Sequence, residues 1–206
     1  QGPRGASAGS LLKPIEAGLP APLVGVVING ELHELTFPVS MEARVRPVTM
    51  AEADGARIYR RSLTFLLEAA FTRLFPKASL FIDQSLAFGG YYCNVRGRAP
   101  LTPGELKDLE TEMRRIVGED LPFGGRVATV EEARAYFESQ NYPDKARLMR
   151  YRSRPTITLY RLGGYIDYHH GYMVPSTGYL KWFELVAANG GFSLRFPRRH
   201  SPATLA

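Results

Sequence analysis

The residues best suited to chemistry lie close together late in the chain, in Tyr165-Ile166-Asp167-Tyr168-His169-His170-Gly171. The adjacent histidines suggest metal ligation or a general base. If the stretch is a strand, alternation puts Asp167 and His169 on one face and Tyr168 and His170 on the other. A histidine pair on a strand is also a common structural feature, and no clear third ligand or partner accompanies it here. Cys93 is the single cysteine. As a nucleophile it needs an adjacent base, and none is evident. Arg147, Arg150, Arg152 and Arg154, with tyrosines nearby, could contact phosphates. The competing reading is an exposed basic loop leading into a strand.

Several catalytic signatures are missing. There is no GxxxxGK(S/T) phosphate loop, so the chain carries no Walker-type ATP site. Nor is there a GxGxxG between strand and helix, an HExxH, a CxxC pair or a GxSxG elbow.

The elements that must position these groups follow from pattern. Residues 1–22 are rich in Gly, Ala, Ser and Pro and read as a loop. Val24 to Leu32 carries Asn29-Gly30 after a β-branched run, a strong hairpin signal. Val45 and Val48 belong to another short strand. Tyr59, Leu63, Leu66, Leu67, Ala70 and Leu74 recur at helical spacing over residues 54–75, and Pro76 closes that helix. Residues 79–95 read as two strands joined at Gly89-Gly90. Thr102, Pro103 and Glu105 form a capped helix start, with Leu106, Leu109, Met113 and Ile116 as its apolar stripe. Thr129 and Glu132 open a further helix through Phe137, and a helical stretch follows near Asp144–Met149. Residues 156–160, 164–169, 181–187 and 192–196 read as strands. Strands mixed irregularly with helices predict an α+β fold with a mainly antiparallel sheet.

The bulk properties set limits. The 206 residues suffice for one domain, or one and a small partner. Hydrophobic residues make up 45% and charged residues 22%, as in globular proteins that live in water. No apolar run approaches a membrane span. A lone cysteine fits a reducing cytoplasm. The net charge of +6 and pI near 9.5 favour anionic partners, although a solvated basic surface is the simpler account. The start at Gln1 and the loop-like stretch from Pro197 to Pro202 lead us to expect a fragment with a partner domain outside it.

Tyr165 to Leu185 reads YIDYHHGYMVPSTGYLKWFEL. It resembles a signature of threonyl-tRNA synthetase editing domains, YVDxCRGPHVPxTGxIKxFKL. Other features agree in order: Leu74-Phe75-Pro76 ending the long helix, Gly90-Tyr91-Tyr92, Leu101-Thr102, Glu132-Ala133 through Phe137, and Ala188 through Phe192. The likeness covers residues 24–196. It implies a partial β-grasp (TGS-like) segment with its N-terminal loop at 1–50, an editing-like domain at 51–196, and a C-terminal linker at 197–206.

The family's zinc ligands form an HxxxH on the long helix and a CxxxH in the late motif. By the resemblance these positions fall on Arg61, Phe65, His169 and Met173. Zinc needs at least three Cys, His or carboxylate ligands, and only His169 qualifies, so we expect no metal and no catalytic residue. Tyr92, Lys145 and Asp167 match pocket positions of the family. The expected site is therefore a ligand-binding cleft lined by Arg61, Tyr92, Lys145, Asp167 and His169. The alternative is a vestigial cleft in which Arg61 and Lys145 pair with Asp167 and Glu68.

Two functions follow from the resemblance. The first is a non-catalytic accessory module of a bacterial uridine-kinase-like protein. Its P-loop kinase domain would lie in cis beyond Ala206, and ATP and magnesium would belong to that domain alone. The ligand would then be a nucleoside or another small polar molecule. The second is an editing-type hydrolase or tRNA-binding domain, with RNA as partner. A homodimer is a further expectation; a membrane partner is not expected.

Overall fold

The computed structural model describes residues 3–86 and 89–205. Its elements run β1 (Ala6–Ser7), α1 (Ala8–Glu16), β2 (Leu23–Ile28), β3 (Glu31–His33), β4 (Pro38–Val39), β5 (Val45–Thr49) and α2 (Ala53–Leu74). Then come β6 (Ser79–Leu86), β7 (Gly90–Arg96), α3 (Pro103–Gly118), β8 (Gly124–Thr129), α4 (Val130–Ser139) and α5 (Pro143–Met149). The chain closes with β9 (Thr156–Leu162), β10 (Tyr165–Tyr168), β11 (Glu184–Ala188) and β12 (Gly191–Arg195). All paired strands among the described residues are antiparallel, so the α+β expectation holds.

Two compact units result. One comprises residues 1–122 and 172–206, the other 123–171. The boundary expected at residue 50 lies inside the first unit. The 197–206 stretch belongs to that unit too, and Phe196 and Pro197 are buried.

In the first unit, β3-β2-β5 form one sheet, β11-β12-β7-β6 another, and β1 pairs β4. The β2–β3 turn is the Asn-Gly hairpin that the sequence predicts, with φ of 50° at Asn29 and 92° at Gly30. The long helix α2 runs through this unit's core. Ile58, Tyr59, Leu63, Phe65, Leu66, Leu67, Ala70 and Phe71 are all buried, more than one stripe, so α2 is covered on several sides. Gly55, in its first turn, lets the helix approach β5. A Cβ there would sit 1.9 Å from the Thr49 carbonyl oxygen.

Residues 8–16 depart from expectation: the predicted loop contains α1. Ser7 caps it, accepting the Ser10 N–H at 3.3 Å, and Ala8 and Leu12 pack into a cluster with Leu23, Val26 and Leu35. Tertiary burial outweighs the Gly and Pro content that argues against a helix.

The second unit is a three-stranded sheet, β10-β9-β8, with α4 and α5 packed around Phe137, Ala146, Met149, Ile157 and Leu159. Both predicted capping boxes are present: Thr102 with Glu105 in the first unit, Thr129 with Glu132 in the second. The sequence reading omits β8. It opens Gly124-Gly125 and only Ala128 is buried, so β9 pairing rather than composition makes it a strand.

The Gly55 contact gives a stability test. Gly55→Ala should cost about 3 kcal/mol in chemical denaturation, because backbone must move to admit the methyl group. Gly104→Ala in the first turn of α3 meets nothing closer than Thr102 Oγ1 at 4.0 Å. It should be neutral or stabilise by up to about 1 kcal/mol.

Candidate functional site

The second unit holds three of the five expected site residues. Asp167 is buried near the end of β10, with Tyr165 two residues before it on the same face. Tyr165 donates its hydroxyl to Asp167 Oδ2 at 3.0 Å, and the Tyr168 N–H donates to Oδ1 at 2.8 Å. The Lys145 ammonium, from α5, pairs with Asp167 Oδ2. Lys145 also lies over the rings of Tyr142, Phe137 and Tyr165 at 5.0, 5.8 and 5.9 Å. An aromatic cage of this kind stabilises a cation that is partly removed from water. Lys145 and Asp167 thus come together as an ion pair.

His169 is placed differently. β10 ends at Tyr168, so the alternation that would align His169 with Asp167 stops one residue short. His169 instead lines a groove of about 590 Å3 with Val127, Tyr151, Arg152, Arg154 and His170. No acidic side chain lines this groove. Arg152 lies over the Tyr168 ring at 5.2 Å and meets His170 Nε2. A guanidinium only donates, so this ring nitrogen is the acceptor. Tyr151 is 81% exposed and Val127 is 68% exposed. Two of the four arginines noted in the sequence, Arg152 and Arg154, thus line a basic, partly aromatic groove that only His169 of the five expected residues reaches. The spacing of Arg152 and Arg154 before β9 was the available signal.

Arg61 and Tyr92 belong to the first unit. Arg61 Nη1 donates to the Tyr172 carbonyl at 2.6 Å. Tyr92, on β7, donates its hydroxyl to the Asn189 carbonyl at 2.8 Å. Two further positions that the resemblance assigns to metal ligands are core. Phe65 is 0% exposed and Met173 is 1% exposed. Met173 Sδ lies 3.6 Å from Ser62 Oγ. Among the described residues, no three His, Cys, Asp or Glu side chains are grouped to hold a metal ion.

Cys93 is buried on β7, and burial pushes its thiol up to about 12. A thiolate nucleophile at neutral pH is thereby disfavoured.

Comparison with known proteins points to one group of relatives. The chain is 32% identical over 171 residues to a threonine–tRNA ligase of Thermotoga petrophila, covering 82% of this chain and 26% of that protein. It is 33% identical over 181 residues to the Desulforamulus reducens enzyme, covering 87% and 28%. With the Halalkalibacterium halodurans enzyme the values are 31% over 192 residues, 92% and 30%. The chain is homologous to threonine–tRNA ligases. It spans between 26% and 30% of the length of these three relatives. No family model matches it. The uridine-kinase setting expected from the sequence gains no support from these relatives, which favour the editing or tRNA-binding reading. No helix among the described residues is long and apolar enough to cross a membrane.

Two measurements follow. Asp167→Ala leaves the Lys145 ammonium without its carboxylate. It should destabilise the protein by roughly 2 kcal/mol, less than for a fully buried pair because Lys145 is 29% exposed. Adding Lys145→Met should recover much of that loss. Native Cys93 should resist alkylation at pH 8 and react once the chain is unfolded. Because its folded pKa is raised, its contribution to stability is present below the ordinary thiol value and fades as pH rises towards about 12.

Proposed function

We propose that this chain is an editing-type module of threonyl-tRNA synthetase descent that binds RNA without metal-dependent hydrolysis. The observation that carries the reading is the fate of the ligand positions. Phe65 and Met173 are packed apolar core, and Arg61 is bonded to a backbone carbonyl. A water nucleophile at neutral pH needs a metal or a positioned base to activate it. Arg61, Phe65 and Met173 supply neither. The second unit meanwhile offers Arg152, Arg154, His169 and the exposed Tyr151 around one groove. Guanidinium forks suit phosphates, and an exposed ring suits an unstacked base. Homology to threonine–tRNA ligases supports RNA as the partner class.

The accessory role in a nucleoside kinase remains a second reading. It rests on the same replaced ligand positions, which leave a module free to sense or position a small ligand. It predicts nucleoside binding near Lys145 and Asp167 rather than RNA in the arginine groove.

Filter binding of unacylated tRNA separates the two. We expect affinity that falls steeply with salt, and a roughly tenfold loss for Arg152→Ala/Arg154→Ala with a shallower salt slope. Unchanged affinity in that variant, or no binding at about 50 mM salt, would overturn the RNA reading. Metal analysis should find no stoichiometric zinc, and mischarged tRNA should be hydrolysed no faster than background. Zinc bound at His169 would sink the non-metal assignment.

A further inference from the structure

A second basic concavity lies in the first unit, formed in part by residues 197–200 of the stretch that the sequence reading treats as a linker. It has a volume of about 550 Å3 and is lined by Arg60, Arg198, Arg199 and His200 above a floor that includes Ala56 and Phe196. No acidic side chain lines it. We propose that this cavity binds a small molecule bearing a di- or triphosphate group.

The cations are held in place by ordered structure. Arg60 projects from α2, its Nε donating to the Ala56 carbonyl at 3.2 Å, and its guanidinium lies 5.7 Å from the Phe196 ring centre. That arrangement fixes the fork while leaving its far edge as a donor surface. The other three belong to a turn closed by the Ser201 N–H donating to the Arg198 carbonyl at 3.0 Å. The following turn is closed by the Thr204 N–H on the Ser201 carbonyl at 3.2 Å. Gly89, at φ 90°, makes room for this segment, since a Cβ there would sit 3.1 Å from Arg198 Cγ. At the start of α2, Glu52 pairs with Arg46 and Asp54 with Arg57. Neither Arg60 nor Arg199 makes an ion pair with a described residue.

The lining of the cavity carries three guanidiniums and an imidazole and no acidic side chain, so its potential is positive. A multivalent anion is favoured in such a place. A single phosphate satisfies one fork, whereas a di- or triphosphate spans several. The apolar floor of Ala51, Ala56, Phe196 and Pro197 leaves room for the uncharged part of the ligand.

Calorimetry on the whole chain with inorganic triphosphate and with pyrophosphate, at low salt, tests this. We expect binding that weakens roughly tenfold or more in Arg60→Gln and in Arg198→Ala/Arg199→Ala. Arg152→Ala/Arg154→Ala, at the other groove, should leave it unchanged. Circular dichroism confirms that each variant is folded, and Arg60→Lys, which keeps the charge, should restore part of the affinity. Absence of triphosphate binding to the native chain would overturn the proposal, as would equal affinity in the folded Arg60 and Arg198/Arg199 variants. Loss of tRNA binding in these variants without any triphosphate binding would also overturn it, since the site would then be a nucleic-acid surface. Failure of the arginine-groove experiment above leaves this result standing, because the two use different variants and different probes.

Discussion

The segment from Tyr172 to Phe183 has little regular structure, only one 3-10 turn at Thr177–Tyr179, yet much of it is buried. Buried backbone polar groups must be paired, and side chains from distant parts of the first unit supply the partners. Glu34 accepts the Met173 N–H at 3.0 Å, and Ser62 accepts the Val174 N–H at 2.9 Å. Tyr59 both accepts the Trp182 N–H and donates to the Trp182 carbonyl, at 2.9 and 2.8 Å. Arg114 donates to the carbonyls of Lys181 and Phe183. Each such bond contributes about 1 kcal/mol net, but leaving its buried partner unpaired costs about 1–3 kcal/mol. The fold of the first unit depends on this set of side-chain bonds between α2, α3 and the late segment.

That constraint explains the Val174-Pro175-Ser176-Thr177-Gly178 core that looks like a family mark. Thr177 is fully buried. Its hydroxyl donates to the Ile116 carbonyl at 2.7 Å and accepts the Leu121 N–H at 2.9 Å. Asp120 accepts from Ser176 and from the Gly178 N–H, the latter at 2.9 Å. A Cβ on Gly178 would sit 2.3 Å from Asp120 Oδ1, so the glycine is set by that close approach. These residues fasten the chain to the end of α3, a structural task that does not need a metal.

Much of the fold was legible in the sequence because its signals are local. The capping boxes at Thr102 and Thr129, the Asn29-Gly30 turn and the apolar spacing of α2 lie within a few residues of what they specify. What was missed depends on remote partners. α1 is held by Leu23, Val26 and Leu35, and β8 by pairing with β9. The site divides in the same way. Tyr165 and Asp167 share a face by simple alternation, whereas His169 escapes that rule because the strand ends at Tyr168. The Lys145–Asp167 pair joins residues 22 apart, and only the resemblance pointed to both.

Packing at the positions that the resemblance assigns to metal ligands bears on how readily they could accept such ligands. A catalytic zinc needs polar ligands and an open coordination place for water. Phe65 and Met173 instead fill space with carbon and sulfur, while the Ser62 hydroxyl donates to the Ile58 carbonyl, accepts the Val174 N–H and lies 3.6 Å from the Met173 sulfur. Placing one imidazole at residue 65 would bury a polar ring in an apolar core with no metal to satisfy it. Such a group costs free energy until its partners are in place. Introducing metal ligands there one at a time therefore costs stability before a metal site is complete. The packing at these positions instead stabilises the helix–loop contact on which the first unit depends.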